Sequence, residues 1–293
     1  MIIASNWKDY EVLETGNGEK IERWGKYILK RPDPQIIWKR SISDKKLPHI
    51  DGIYHRSSKG GGDWEDRGLP DEWSISYEGR DSGRLTFRLK PFSFKHTGLF
   101  PEQAANWDAM SDLVKKADRP IKVLNLFAYT GGATCALIGS GAEVTHVDAS
   151  KGMVQWAKEN MRLSHLEKNT IRFITDDCLK FVERDEIYAN CDIISYHVPI
   201  LPSTMGLINK ENIAKMKQDA IIINISRGEI ANNEDLAEAL NSKRIYAGLD
   251  VLAPEPPEEG HPLLSLTEEG NYRMVMTPHM AGTSDSAFER MFT

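Results

Sequence analysis

The chain has 293 residues, of which 40% are hydrophobic and 27% charged, and a formal net charge of −6. It is long enough to bury a core as one large domain or two ordinary ones, and its composition excludes the disordered and fibrous classes. The longest strongly apolar run is Ala220 to Ile225 and the N-terminus has no charged segment leading into an apolar one, so neither a membrane helix nor a secretory leader is expected.

Cys135, Cys178 and Cys191 are too widely spaced for a zinc pattern and odd in number for a disulfide framework. Buried thiols, no metal and a cytoplasmic location are the expectation. Residues 1–98 alternate short apolar runs with turn residues: IIWKR, the Gly60-Gly61-Gly62 hinge, WSISYEG and RLTFRLK. Leu85, Phe87 and Leu89 alternate with polar residues, the pattern of a half-buried strand, so a β-rich accessory region without a long helix is predicted. From Lys20 to Lys59 eleven Lys and Arg stand against four Asp and Glu, whereas from Glu186 onward eight stand against sixteen. Trp24, Tyr27, Trp38 and Tyr54 lie among those basic residues. Such a mix suits either an RNA-binding face that stacks bases and contacts phosphates, or a solvated surface over an aromatic core.

Trp107, Met110 and Val114 at helical spacing lead into the strand IKVLNLF, and strands and helices then alternate. Strands are predicted at Lys122 to Phe127, Glu143 to Val147, Ile171 to Thr175, Asp192 to Tyr196, Ala220 to Asn224, Ile245 to Leu249 and Met274 to Met276. Ser150, Asn209 and Asn233 are the expected N-caps of the intervening helices. This rhythm predicts an α/β fold: a doubly wound, Rossmann-like parallel sheet in the order 3-2-1-4-5.

The segment VLNLFAYTGGATCALIGSGAEVTHVDAS is a strand, a glycine turn, a helix and a second strand ending in Asp148. In such sheets ligands lie beyond the carboxyl ends of the strands, where Gly131 and Gly132 would let backbone approach a nucleoside and Asp148 would accept a ribose diol. The turn lacks the G-x-G-x-x-G that seats a pyrophosphate, which favours a cofactor without phosphates. Through HRSSKGGGDW, GLFPEQAANW, NLFAYTGGAT, VTHVDASKGMVQWAKEN and ITDDCLKF, residues 1 to about 185 resemble class I S-adenosylmethionine (SAM)-dependent methyltransferases of the large-subunit rRNA type. The resemblance implies that Phe127, Thr130, Gly131 and Gly132 surround the methionine part of SAM and that Asp148 holds the ribose. Gln103 would line the pocket and Asp177 would meet the adenine amino group, although either Asp of DDCLKF also suits a helix N-cap. The (Asp/Asn)-Pro-Pro-aromatic turn of that family is replaced here by SYHVPI, which implies weak or no methyl transfer.

From about residue 187 the stretches ANCDIISYHVPILPSTMGLINKENIAKMKQDAIIINISRGEI, AGLDVLAPEPPEEGHPLL and VMTPHMAG resemble the cofactor domain of D-isomer-specific 2-hydroxyacid dehydrogenases. Reducing a 2-keto acid needs a cation for its carboxylate, an acid for the new alkoxide and a partner that sets that acid's pKa. The resemblance implies Arg227, His279 and Glu255 in these roles and Asp250 beside the nicotinamide of NAD. The chain would lack that family's phosphate loop and half of its substrate pocket. A junction at Glu186 to Cys191 falls between the third and fourth strands. A hybrid is therefore expected: residues 1–98 accessory, 99–185 a SAM-binding half and 186–293 a dehydrogenase-type half. The leading functional expectation is a SAM-binding, methyltransferase-like protein. The alternatives are an NAD-dependent D-2-hydroxyacid dehydrogenase, or a recombined or designed scaffold with neither activity.

Overall fold

The computed structural model describes residues 6–43, 46–57, 61–92, 96–178 and 185–277. Strands β1 (Tyr10–Gly16), β2 (Glu19–Trp24), β3 (Tyr27–Pro32), β4 (Gly52–Arg56) and β5 (Gly62–Asp66) form a five-stranded sheet in chain order, antiparallel except for the β3–β4 pair. The glycine hinge is the end of a hairpin: Gly61 takes φ 69, Ser57 N–H donates to Gly61 O at 3.0 Å, and Gly62 already belongs to β5, while Gly60 lies outside the described residues.

Strands β6 (Trp73–Gly79) and β7 (Gly83–Leu89) make a second hairpin. The alternation in β7 acts as the sequence suggests, since Leu85, Phe87 and Leu89 are fully buried. Its outer edge is covered by helix α3 (Lys151–Leu163) and the residue after it: Arg88 N–H donates to Asn160 Oδ1 at 2.8 Å and Thr86 N–H to Ser164 Oγ at 2.9 Å. Satisfying an edge strand with side chains removes its unpaired donors and ties the accessory region to the next layer.

The basic stretch proves to be paired over an aromatic core. Lys20 and Arg31 meet Glu22, Lys30 and Arg40 meet Glu19, and Arg23 meets Glu11. Trp24 is wholly buried with the Arg31 guanidinium 5.0 Å from its ring centroid, and Tyr54 is 5% exposed. These two rings are core residues and cannot stack on bases, whereas Tyr27 and Trp38 remain half-buried.

The remaining strands, β8 (Lys122–Leu126), β9 (Glu143–Asp148), β10 (Ile171–Thr175), β11 (Ile193–Tyr196), β12 (Ala220–Asn224), β13 (Ile245–Leu249) and β14 (Met274–Met276), form one parallel sheet in the order β10-β9-β8-β11-β12-β13-β14. The sheet crosses the seam between the two resembled families without a break, pairing Ile193 with Val123 and Tyr196 with Leu126. Side chains alternate across it: Leu124, Leu126, Ile194, Tyr196 and Ile222 enter one core layer, and Val123, Val144, Ile193 and Ile223 the other. Each layer thus draws residues from both sides of the seam.

Asp192 fastens that seam. Its side chain is 7% exposed, and it accepts the Lys122 amide at 3.0 Å, Arg119 Nη1 at 2.8 Å and Lys217 Nζ at 3.0 Å. Burial alone would raise its pKa, but the amide and the two cations together hold its carboxyl below the usual range.

Two N-caps stand where expected: Ser150 Oγ accepts Met153 N–H at 3.3 Å, and Asn209 Oδ1 accepts Asn212 N–H at 2.9 Å. The third belongs to Asn232, which accepts Asp235 N–H at 3.0 Å, and not to Asn233. Asn233 is the first residue of the helix, and its Nδ2 donates to Ala253 O at 2.6 Å. With two adjacent asparagines the cap falls to the one whose backbone is still extended.

Candidate functional site at the carboxyl edge of the sheet

The turn after β8 is held in an unusual backbone conformation. Phe127 and Tyr129 both take φ 52 and Gly131 takes φ 81. A non-glycine residue in the left-handed region costs about 1–3 kcal/mol and persists only where neighbours enforce it. Here Phe127 N–H donates to Cys178 Sγ at 3.3 Å and Tyr129 N–H to Asp148 Oδ2 at 2.9 Å. Thr130 is clasped from two sides, its Oγ1 donating to Gly98 O at 2.5 Å and its carbonyl accepting Asn160 Nδ2 at 2.8 Å.

Both glycines of the turn lie against neighbouring side chains on the side where a Cβ would stand. A Cβ on Gly132 would lie 2.6 Å from Cζ2 of Trp107 on helix α1 (Ala104–Lys116), and one on Gly131 would lie 2.9 Å from Cβ of Ala157. Trp107 is buried and packs against the flank of helix α2 (Gly132–Gly139) at its first residue.

Asp148 ends β9 half-buried, with Oδ2 on the Tyr129 amide and Oδ1 on the Ser150 amide at 2.8 Å. Each carboxylate oxygen keeps a further acceptor site, so a diol remains compatible with both amides. Phe100 stacks at 5.6 Å on Tyr129, bringing the FPEQ segment to the turn, and Gln103 Oε1 accepts Asn106 Nδ2 at 2.9 Å. Asp177 is exposed beyond β10, with its amide on Asp176 Oδ1 at 2.8 Å.

A row of polar residues crosses the sheet beneath this edge. His146, Asn125 and Ser195 are register partners on β9, β8 and β11. Thr134 Oγ1 joins the first two, 2.8 Å from Asn125 Nδ2 and 2.9 Å from His146 Nδ1. Burial, with a smaller effect of Lys158, pushes His146 down to about 3. Asn125 Oδ1 and His146 Nε2 are buried and have no hydrogen-bond partner among the described residues. Ser195 Oγ lies 2.8 Å from His197 Nε2, and burial pushes this second imidazole down to about 4. Sequence reasoning treated SYHVPI only as a missing motif, although a Ser and a His two apart on an extended segment share a face.

The residues of the second half occupy loops on the same edge. Arg227 follows β12, is exposed, and its Nη1 donates to Ser226 O at 2.7 Å. Glu255 follows β13 and accepts Leu252 N–H at 2.9 Å. The two loops press together, since a Cβ on Gly228 would lie 2.0 Å from Leu252 carbonyl carbon. Asp250 is 3% exposed and accepts the Thr277 hydroxyl, while its amide donates to Asn224 O at 3.0 Å. His279 lies outside the described residues. Among the described residues no cluster of His, Cys, Asp or Glu is placed to hold a metal, and no helix is long and apolar enough to cross a membrane.

Comparison with known proteins gives two matches that overlap along the chain. The model of the D-isomer specific 2-hydroxyacid dehydrogenase NAD binding domain matches residues 132–281. A hydroxypyruvate reductase of Blautia hydrogenotrophica is 42% identical over 38% of this chain and 34% of its own length. The human glyoxylate reductase/hydroxypyruvate reductase is 42% identical over 36% of this chain and 31% of its own length. The chain therefore spans about a third of these two relatives. Among solved structures, a SAM-dependent methyltransferase from Agrobacterium tumefaciens is 39% identical with a TM-score of 0.61, over 67% of this chain and 61% of that one.

Proposed function

The chain belongs to the D-isomer specific 2-hydroxyacid dehydrogenases through their NAD binding domain, and from that premise we propose that its carboxyl edge is an adenosine-cofactor site. The adenosine side is supplied by a methyltransferase-like half and the reacting side by dehydrogenase loops. One observation carries the choice of cofactor: the turn into α2 is Tyr129-Thr130-Gly131-Gly132, with Thr130 clasped by Gly98 and Gly132 against Trp107, and it has no G-x-G-x-x-G loop to seat a diphosphate. A ligand whose ribose meets Asp148 and whose remaining part is a short aminoacyl chain fits that turn, so SAM or S-adenosylhomocysteine is the preferred ligand. Phe127, Thr130 and Gln103 border it, with Asp177 toward the base. When bound, SAM supplies a transferable methyl group, and with SYHVPI after β11 turnover is weak or absent.

A second reading, NAD-dependent reduction of a small 2-keto acid, is favoured by the family match and by the contact between the Arg227 and Glu255 loops. In it Arg227 holds the substrate carboxylate, His279 donates the proton, Glu255 sets its pKa and Asp250 meets the nicotinamide amide.

Thermal denaturation with each ligand separates the two. A ligand at a hundred times its Kd adds about 2.7 kcal/mol to a protein it binds only when folded, a shift of several degrees. S-adenosylhomocysteine is expected to give that shift and NAD little, and Asp148→Ala is expected to abolish it. A larger shift with NAD, followed by NADH oxidation on hydroxypyruvate that His279→Asn removes, replaces the first reading with the second.

A further inference from the structure

His197 follows β11, which runs between β8 and β12 in the middle of the parallel sheet. Ser195 and His197 are two residues apart on extended chain and face the same way, 2.8 Å separating Oγ from Nε2. Ser195 is wholly buried, so its one hydroxyl proton must find an acceptor inside the protein. Among the described residues His197 is its hydrogen-bonding partner, whereas its register neighbour Asn125 leaves Oδ1 unpartnered. The Ser195 hydroxyl therefore donates to Nε2, and a neutral ring must carry its own proton on Nδ1. Burial keeps the ring neutral down to about pH 4, so this arrangement persists through the ordinary range. His197 is itself half-buried at the mouth of the edge and has no protein partner for Nδ1 among the described residues.

We propose that His197 is a fixed Nδ1–H donor at the carboxyl edge, held in that tautomer by Ser195, and that it binds a carboxylate oxygen of the ligand. For the identity of that ligand this deepens the adenosine-site reading. The shared chemistry is a small carboxylate, supplied either by the aminoacyl end of a SAM-type ligand or by a free 2-keto acid. A neutral donor suits an anionic oxygen, because a hydrogen bond to a charged acceptor is about twice as strong as a neutral pair.

The test is nitrogen-15 NMR of histidine-labelled protein with three probes: S-adenosylhomocysteine, oxamate as an unreactive keto-acid analogue, and methylthioadenosine, which has no carboxylate. Wild-type His197 is expected to be the Nδ1–H tautomer, retained in Ser195→Thr and lost in Ser195→Ala. S-adenosylhomocysteine or oxamate should move the Nδ1 resonance and methylthioadenosine should not. His197→Phe should weaken the carboxylate ligand at least tenfold and leave methylthioadenosine unchanged, while His197→Gln, which keeps a donor, should restore most of the affinity. An Nε2–H tautomer in the wild type, with Ser195 turned to Asn125, would overturn the proposal. So would a His197 signal that neither carboxylate probe moves, or equal losses for ligands with and without a carboxylate. Failure of methylthioadenosine to bind would count against the adenosine site, while the tautomer and the oxamate titration would still decide the role of His197.

Discussion

Replacing Asp192 by alanine should destabilise the protein more than removing either cation that pairs with it. The carboxylate is 7% exposed, whereas Arg119 and Lys217 are 59% and 35% exposed. Deleting either cation leaves the other and the Lys122 amide in place, and an exposed pair contributes less than about 1 kcal/mol. Deleting Asp192 strands the Lys122 amide, whose loss costs about 1–3 kcal/mol, and removes both pairs at once. The expected total is about 2–3 kcal/mol, or roughly 5–10 °C in Tm for a chain of this size. Asp192→Asn retains one acceptor and should lose about half as much. Urea denaturation of the four variants, with m-values checked for two-state behaviour, gives the ranking Asp192→Ala, then Asn, then the two cation variants. If Arg119→Ala or Lys217→Ala costs as much as Asp192→Ala, the seam is held by surface charge and the account of a buried anchor is wrong.

Acid should destabilise the protein well above the carboxylate range. His146 is held to about 3 in the folded chain and returns to about 6.5 when unfolded, so the unfolded state binds the extra proton and stability falls as pH drops from 6.5 toward 3. The full effect is on the order of 5 kcal/mol, and a pH series of denaturation midpoints that stays flat between 6.5 and 4 would refute it. Gly132→Ala, which in an ordinary helix gains about 1 kcal/mol, should here lose about 1–3 kcal/mol because of Trp107. Unchanged stability would refute the close contact with Trp107. Asn232→Ala should cost about 1 kcal/mol through the lost cap, with helix fraying visible in amide exchange before Asp235; protection left unchanged there would return the cap to Asn233.

The sequence was most legible where local pattern and burial agree. The apolar runs KVLNL, IISY and AIIIN became central strands within a residue of their predicted limits, because a parallel strand covered on both faces leaves little freedom in register. The motifs at the carboxyl edge were legible as positions but less so as roles. Gly131 and Gly132 look alike as permissive residues, and only the folded chain separates them: Gly131 takes φ 81 and lies against Ala157, while Gly132 lies against Trp107. The Asn232 cap failed to appear for a smaller reason, since two adjacent asparagines satisfy the same pattern. The Ser195–His197 pair escaped because a segment compared with a missing motif was judged by what it lacks. The charge of the basic stretch was legible but its pairing was not, because its partners Glu11 and Glu19 precede Lys20 in the chain and meet it only once the strands pair.

The unbroken ladder from β8 to β11 has a consequence for any shortened version of this chain. Backbone hydrogen bonds between parallel strands are blind to side-chain identity, so segments of different ancestry join there with few specific demands. The same blindness makes each part adhesive by itself. A product ending before β11 would display β8 as a bare apolar border, and one beginning at β11 would display its counterpart. Along that border β8 carries only Lys122 at its start and Asn125, and β11 only Ser195 and the Tyr196 hydroxyl, to discourage strangers. Premature termination or proteolysis between residues 185 and 192 therefore releases two complementary templates, and their fate depends on whether they meet each other before they meet another unpaired strand.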